Sequence, residues 1–177
     1  MVEIITAYEK DIPVIEDILM DTIHGWSDPV GKSCWREDQI KWACLSNDFL
    51  ASDFHIAFLD GVPAACMAVV DHDPIFWPNI GKGSSLFIHK LAVKRFAAGN
   101  GISAELIAHA KAMCMDRGIS ALRLDCHGLI PKLHAVYERN GFVCVEGKIV
   151  YGTYSVAFYK CKVNNSKPIL YGNVRDH

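Results

Sequence analysis

Residues 84–142, SSLFIHKLAVKRFAAGNGISAELIAHAKAMCMDRGISALRLDCHGLIPKLHAVYERNGF, decide the fold. Residues 86–93 are apolar and strand-like. The period then changes, because Ile102, Leu106, Ile107, Ala110 and Cys114 recur at helical spacing and Gly118 offers a left-handed stop. A second apolar strand follows at 121–126. Pro131 suits the first turn of another helix, which carries Leu133, Val136 and Tyr137 on one side and ends at Asn140-Gly141. Strand, helix and strand in that order demand a parallel crossover, so the centre of the chain is α/β.

Working outward, residues 3–8 read as a strand. Asp11 is placed to cap a helix whose apolar face is Ile12, Ile15, Ile18, Leu19 and Ile23. Residues 24–36 lose periodicity around Asp28-Pro29 and Gly31, and a short helix is expected over 37–45. Residues 53–59 and 62–70 flank Asp60-Gly61, a dipeptide that supplies the positive φ angles of a two-residue hairpin turn. Residues 71–83, rich in Pro, Gly and Asp, read as a loop. Residues 142–146 and 150–163 alternate like paired strands. The expected architecture is a mixed central β-sheet with helices on both faces, one domain over residues 1–165 and a loosely held tail at 166–177.

Charge narrows the partners. With 18 basic and 20 acidic residues the net charge is −2, which gives no electrostatic reason to expect nucleic acid or an anionic membrane. Acidic residues interrupt the N-terminal apolar pattern and no long apolar run occurs, so a soluble, cytoplasmic protein is expected. The seven cysteines are scattered without paired spacing and read as buried free thiols in a reducing compartment. The eight histidines show no paired ligand spacing, and no metal site is expected.

Between the strand and the long helix stands Ala98-Gly99-Asn100-Gly101-Ile102-Ser103. Glycines there let the backbone approach an anion closely, and the first unpaired N–H groups of the helix point at it. A dinucleotide-binding turn would require a third glycine where Ala104 and Glu105 stand, which sets that reading back.

The strand, the Gly-x-Gly turn and the ending Tyr137-Glu138-Arg139-Asn140-Gly141-Phe142 together resemble the GNAT superfamily of acetyl-CoA-dependent N-acetyltransferases. The resemblance implies that the amides of Ala98 to Ser103 cradle the pyrophosphate of coenzyme A. It also implies that the backbone of Leu91, Ala92 and Val93 pairs with the pantetheine arm, and that an amide of Leu91 or Val93 holds the developing oxyanion. Tyr137 matches the family's general acid. His89 is placed as a general base or water relay, as in the arylalkylamine branch, although that branch has a further histidine where Phe87 stands here. Alternation puts Phe87, His89, Leu91 and Val93 on one strand face.

Two positions depart from the family pattern. Phe96 replaces its Arg or Gln, with Lys94 and Arg95 near enough to substitute, and Ile130 replaces an Asn. The acceptor, a small-molecule or peptide amine, is expected beside Trp26, Trp35, Trp42, Phe76 and Trp77 with Asp28, Asp71 and Asp73; Asp125 and His127 are further proton handlers. A homodimer through the last strands is a further expectation. The alternative function is a non-catalytic acyl-CoA-binding module of the same fold.

Overall fold

The computed structural model describes residues 1–25 and 35–164. Trp26, Asp28 and the tail at 166–177 lie outside the described residues. Seven strands form one sheet in the order β1-β2-β3-β4-β5-β7-β6. They are β1 (Val2–Thr6), β2 (Phe54–Leu59), β3 (Val62–Val70), β4 (Leu86–Val93), β5 (Ala121–His127), β6 (Val143–Val150) and β7 (Tyr154–Lys162). Only β4 and β5 run parallel, as the crossover between them requires.

Helix α1 (Ile12–Gly25) buries Ile15, Ile18 and Leu19. They pack with Phe54, Ile56, Cys66, Ala68 and Ala92 on one face of the sheet. Helix α4 (Ile102–Asp116) buries Ile102, Leu106, Ile107, Ala110 and Cys114 against Leu86, Ile88, Leu122 and Leu124 on the other. Each such Ile or Leu, taken fully from water, stabilises the fold by about 1.5–3 kcal/mol. Helix α5 (Pro131–Arg139) adds Leu133, Val136 and Tyr137 to that second core. Helices therefore lie on both faces, as the periodicity predicts.

Three expectations are revised in detail. The helix expected over 37–45 is two single turns, α2 (Glu37–Ile40) and α3 (Trp42–Leu45), because Lys41 between them is extended at ψ 143°. The C-terminal hairpin turns at Tyr151 and Gly152, with φ of 50° and 78°, so β6 runs to Val150 rather than stopping near Glu146. Asp11 ends a short 3-10 turn, and its carboxylate accepts from the Tyr8 amide at 2.9 Å.

Cys66, Cys114, Cys126 and Cys161 are buried free thiols, as expected, whereas Cys44 and Cys144 are exposed. Among the described residues no helix is long and apolar enough to cross a membrane.

Candidate functional site

The sheet opens into a fork at its middle. β4 and β5 pair only at Leu86–Leu122, Phe87–Arg123 and Ile88–Leu124. Beyond that, β4 stays with β3 as far as Ala65–Val93, while β5 stays with β7 as far as His127–Val156.

A bulge sits at the crotch. Cys66 pairs with Ala92 but Ala68 with His89, so β4 carries one extra residue between them. Lys90 is that residue in the left-handed region, at φ 52°, an uncommon conformation for a side chain of its length. The bulge corrects the sequence expectation about strand faces. Leu86 and Ile88 face the α4 core before it, and Leu91 and Val93 face the same core after it. His89 instead lies beside Phe49, with ring centroids 5.6 Å apart, and Phe87 lies beside Trp77 at 6.2 Å. His89 and Leu91 are therefore on opposite faces, because one inserted residue shifts the two-residue side-chain period.

Past the fork the chain turns into α4. Gly99 and Gly101 have φ of 80° and 75°, angles that L side chains rarely adopt. A Cβ built on either meets nothing within 4 Å, so the space in front of the turn is open. The Ala98 amide donates to Arg95 at 3.3 Å and the Asn100 amide to Ala97 at 3.4 Å. Among the described residues, the amides of Gly99, Gly101, Ile102 and Ser103 donate to no carbonyl. Four N–H groups at the positive end of a fifteen-residue helix form a ready anion cradle. Of the two basic neighbours, Lys94 is paired with Asp17 and the Arg95 amide donates to Asp21 at 2.7 Å. Phe96 is 55% exposed.

Three titratable groups meet on the α1 side of the fork. Asp73, His89 and Asp125 each offer an atom, and these atoms lie within 4.8 Å of one another. His89 Nε2 is 3.5 Å from Asp73 Oδ2. Asp73 is 5% exposed; its Oδ1 accepts from the amides of Ile75 at 3.2 Å and Phe76 at 3.0 Å, while Oδ2 has no hydrogen-bond partner. Asp125 Oδ1 is likewise buried and, among the described residues, unpartnered, as is Trp77 Nε1. Burial, with Asp73's charge adding to it and Lys90 opposing, pushes the Asp125 carboxyl up to about 7. Burial lowers His89, against the pull of Asp73, so its imidazole is neutral near pH 7.

The aromatic residues divide between core and site. Trp42 packs edge-on against Phe54 at 6.2 Å in the α1 core. Trp35 lies under the Lys90 ammonium, 5.1 Å from the ring centre. Trp77 stands 5.2 Å from Phe158, the cross-strand neighbour of Asp125, with the Arg123 guanidinium 4.9 Å from its ring. Phe76 is 6.4 Å from Phe158. The Asp71 carboxylate lies 4.0 Å from the Lys82 ammonium. His127 turns to the Leu129 amide and the Tyr154 ring.

Tyr137 occupies the other face. It is 7% exposed, with ring centroids 6.0 Å from Phe142 and 5.9 Å from Tyr159. Tyr159 donates its hydroxyl to Glu138 at 3.1 Å. The sheet thus separates His89 from Tyr137, and the fork is the opening between their faces. Sequence reasoning named both residues as candidates, but missed the joining of Asp73 to His89 and Asp125. The signal was Asp73-Pro74-Ile75-Phe76, an Asp whose carboxylate can cap the turn it starts.

A model of the acetyltransferase (GNAT) family matches residues 14–142. The chain belongs to this family. This GNAT acetyltransferase is 33% identical over 70 residues to the uncharacterized N-acetyltransferase YesJ of Bacillus subtilis strain 168, a stretch that spans 40% of the chain and 39% of that relative. Among solved structures, the ribosomal-protein-S18-alanine N-acetyltransferase of Escherichia coli aligns over 97% of the chain and all (100%) of its own, at TM-score 0.67 and 17% identity. A GNAT-family protein of Desulfovibrio desulfuricans reaches TM-score 0.70 at 16% identity, covering 93% and 100%. The N-acetylglutamate synthase of Neisseria gonorrhoeae, solved with coenzyme A and N-acetyl-glutamate, matches 93% of the chain and 35% of its own at TM-score 0.64 and 18% identity. At these identities the structural matches establish a shared GNAT fold.

Proposed function

We propose that this GNAT acetyltransferase moves the acetyl group of acetyl-CoA to a primary amine. The observation that carries the reading is the pairing of a forked sheet with an open glycine turn whose four amides lack acceptors. A diphosphate would fit that turn, because Gly99 and Gly101 carry no Cβ and nothing lies within 4 Å of where one would stand. Ala98, Gly99, Asn100, Gly101, Ile102 and Ser103 would line the diphosphate. Leu91, Ala92 and Val93, beyond the last β4–β5 pair, would line the pantetheine arm. Bound there, acetyl-CoA supplies a thioester carbonyl and a thiolate leaving group.

The chain's own residues then have two protons to manage. An amine of pKa about 10.4 costs roughly 4–5 kcal/mol to deprotonate at pH 7, which favours a base at the site. His89, kept neutral by burial, has a ring nitrogen free to take that proton, directly or through a water. Tyr137 supplies the second proton, to the departing sulfur. Its buried setting between Phe142 and Tyr159 limits competition from bulk water. The N–C bond forms as the C–S bond breaks; the attacking nitrogen sheds its remaining surplus proton to water, Tyr137 regains a proton from water and His89 releases its own to solvent, which leaves an amide and a free thiol.

Calorimetric titration with coenzyme A followed by a free-thiol assay with amines tests the reading. Binding with amine-dependent thiol release is expected. No binding at millimolar coenzyme A would remove it.

A further inference from the structure

The buried cluster on the α1 side of the fork gathers two carboxyl groups, with the Lys90 ammonium acting on it. Asp73 and Asp125 each hold an oxygen with no hydrogen-bond partner, and Asp73 is 5% exposed. Burial disfavours the charged form of His89 beside them, against the pull of Asp73, which weakens it as a counter-charge. Lys90 reaches the cluster from the bulge; its charge acts on both Asp125 and His89, and its ammonium rests over the Trp35 ring. One lysine offsets one carboxylate. Among the described residues the second has no cation of its own, so burial pushes the Asp125 carboxyl up to about 7, where a proton and a bound cation would compete for it. Asp48, which also acts on His89 and Lys90, adds to the deficit of positive charge.

The walls around the cluster are aromatic. Phe49 covers His89, and Trp77 lies between Phe87 and Phe158 with its ring nitrogen unpartnered. Carboxylates set among ring faces suit an organic ammonium, whose N–H groups meet the oxygens while its hydrocarbon meets the rings. The three atoms lie within 4.8 Å of one another, close enough for one ammonium nitrogen to reach all of them.

We infer that Asp73, His89 and Asp125 form the subsite for the acceptor's ammonium, and that it selects alkyl amines over amines bearing an adjacent carboxylate. The inference rests on the acetyl-transfer reading and names the substrate class of that site. An α-carboxylate would be held within a few ångströms of two buried carboxylates, which repel it. Asp73→Asn keeps an acceptor oxygen for the Ile75 and Phe76 amides, so the variant removes charge while the loop stays anchored.

The test uses n-butylamine and norvaline, the same skeleton carrying an α-carboxylate, with acetyl-CoA and a thiol readout. Calorimetry with coenzyme A and titrations with Zn²⁺ and Mn²⁺ run alongside on each protein. The wild type is expected to use n-butylamine with kcat/KM at least about tenfold above norvaline. Asp73→Asn and Asp125→Asn are each expected to raise the KM for n-butylamine about tenfold or more, the worth of one charge-assisted hydrogen bond, with coenzyme A affinity kept within about twofold.

Equal or better use of norvaline overturns the inference, as does an unchanged KM in both variants. Coenzyme A binding without any use of n-butylamine at tens of millimolar overturns it too and leaves the cofactor reading standing. One-to-one binding of Zn²⁺ or Mn²⁺ that both variants abolish would make the cluster a metal centre instead. Failure of the wild type to bind coenzyme A removes the acetyl-transfer reading, and the inference falls with it.

Discussion

Replacing Gly101 by alanine separates a simple tight turn from a cofactor cradle. At φ 75° an alanine is strained by about 1–2 kcal/mol, partly offset by about 0.4–1 kcal/mol from a stiffer unfolded chain. No clash adds to this, since the new Cβ meets nothing within 4 Å. The net loss is about 1 kcal/mol, which for a chain of this length lowers Tm by about 2–4 °C. Ligand binding should respond far more. On the cradle reading, a methyl group in that open space would hinder a diphosphate from reaching the amides of Gly101, Ile102 and Ser103, and losing one charge-assisted hydrogen bond costs about 1.5–3 kcal/mol. Coenzyme A affinity should therefore fall about tenfold to a hundredfold. Differential scanning calorimetry gives the first quantity and isothermal titration the second. A Gly101→Ala protein that melts a few degrees lower yet binds coenzyme A as well as the parent would refute the cradle.

Tyr137→Phe should lower kcat by about tenfold to a thousandfold while coenzyme A affinity stays within about twofold; an unchanged steady-state rate argues against the acid role. His55, 4% exposed, is pushed down to about 4 by burial first and then by His109 and Arg117. The folded protein therefore binds fewer protons than the unfolded chain, and this histidine's contribution to stability, complete above its ordinary value of 6.5, is lost as pH falls towards 4. Nitrogen chemical shifts should show His55 still neutral at about pH 5, and a midpoint near the ordinary value would contradict this. Phe54→Ala removes a fully buried ring packed against Trp42 and Phe49. Denaturant unfolding should show a loss of about 3–5 kcal/mol; a loss under about 1 kcal/mol would mean the site refills by collapse.

The parts of the fold legible in the sequence were those set by local period and turn chemistry. The helical spacing of Ile102 to Cys114 places α4, and Asp60-Gly61 turns the hairpin between β2 and β3. The glycine turn was legible because positive φ leaves few residue choices. The bulge was not, because Lys90 is an ordinary residue for a strand, and only pairing with β3 fixes where the extra residue goes. The face assigned to Leu91 and Val93 failed for that reason. The late turn at Tyr151 and Gly152 was hidden by a second glycine, Gly147, which the structure keeps inside β6. Of the candidate site, Tyr137 and His89 were proposed from motif position. Asp73 was read among several loop carboxylates, and its burial follows from tertiary packing of the 71–83 loop over β4 and β5.

The three-rung junction between β4 and β5 has a mechanical meaning. A continuous sheet transmits load through every ladder, whereas here two blades share one short seam, with the crossover helix α4 spanning their backs. A molecule lying in the gap and bonded to both blades would splint them. Amide exchange along the inner edges of β4 and β5 should then slow on loading by more than at distant β1, as rivets added to a partly open seam stiffen the plate around it.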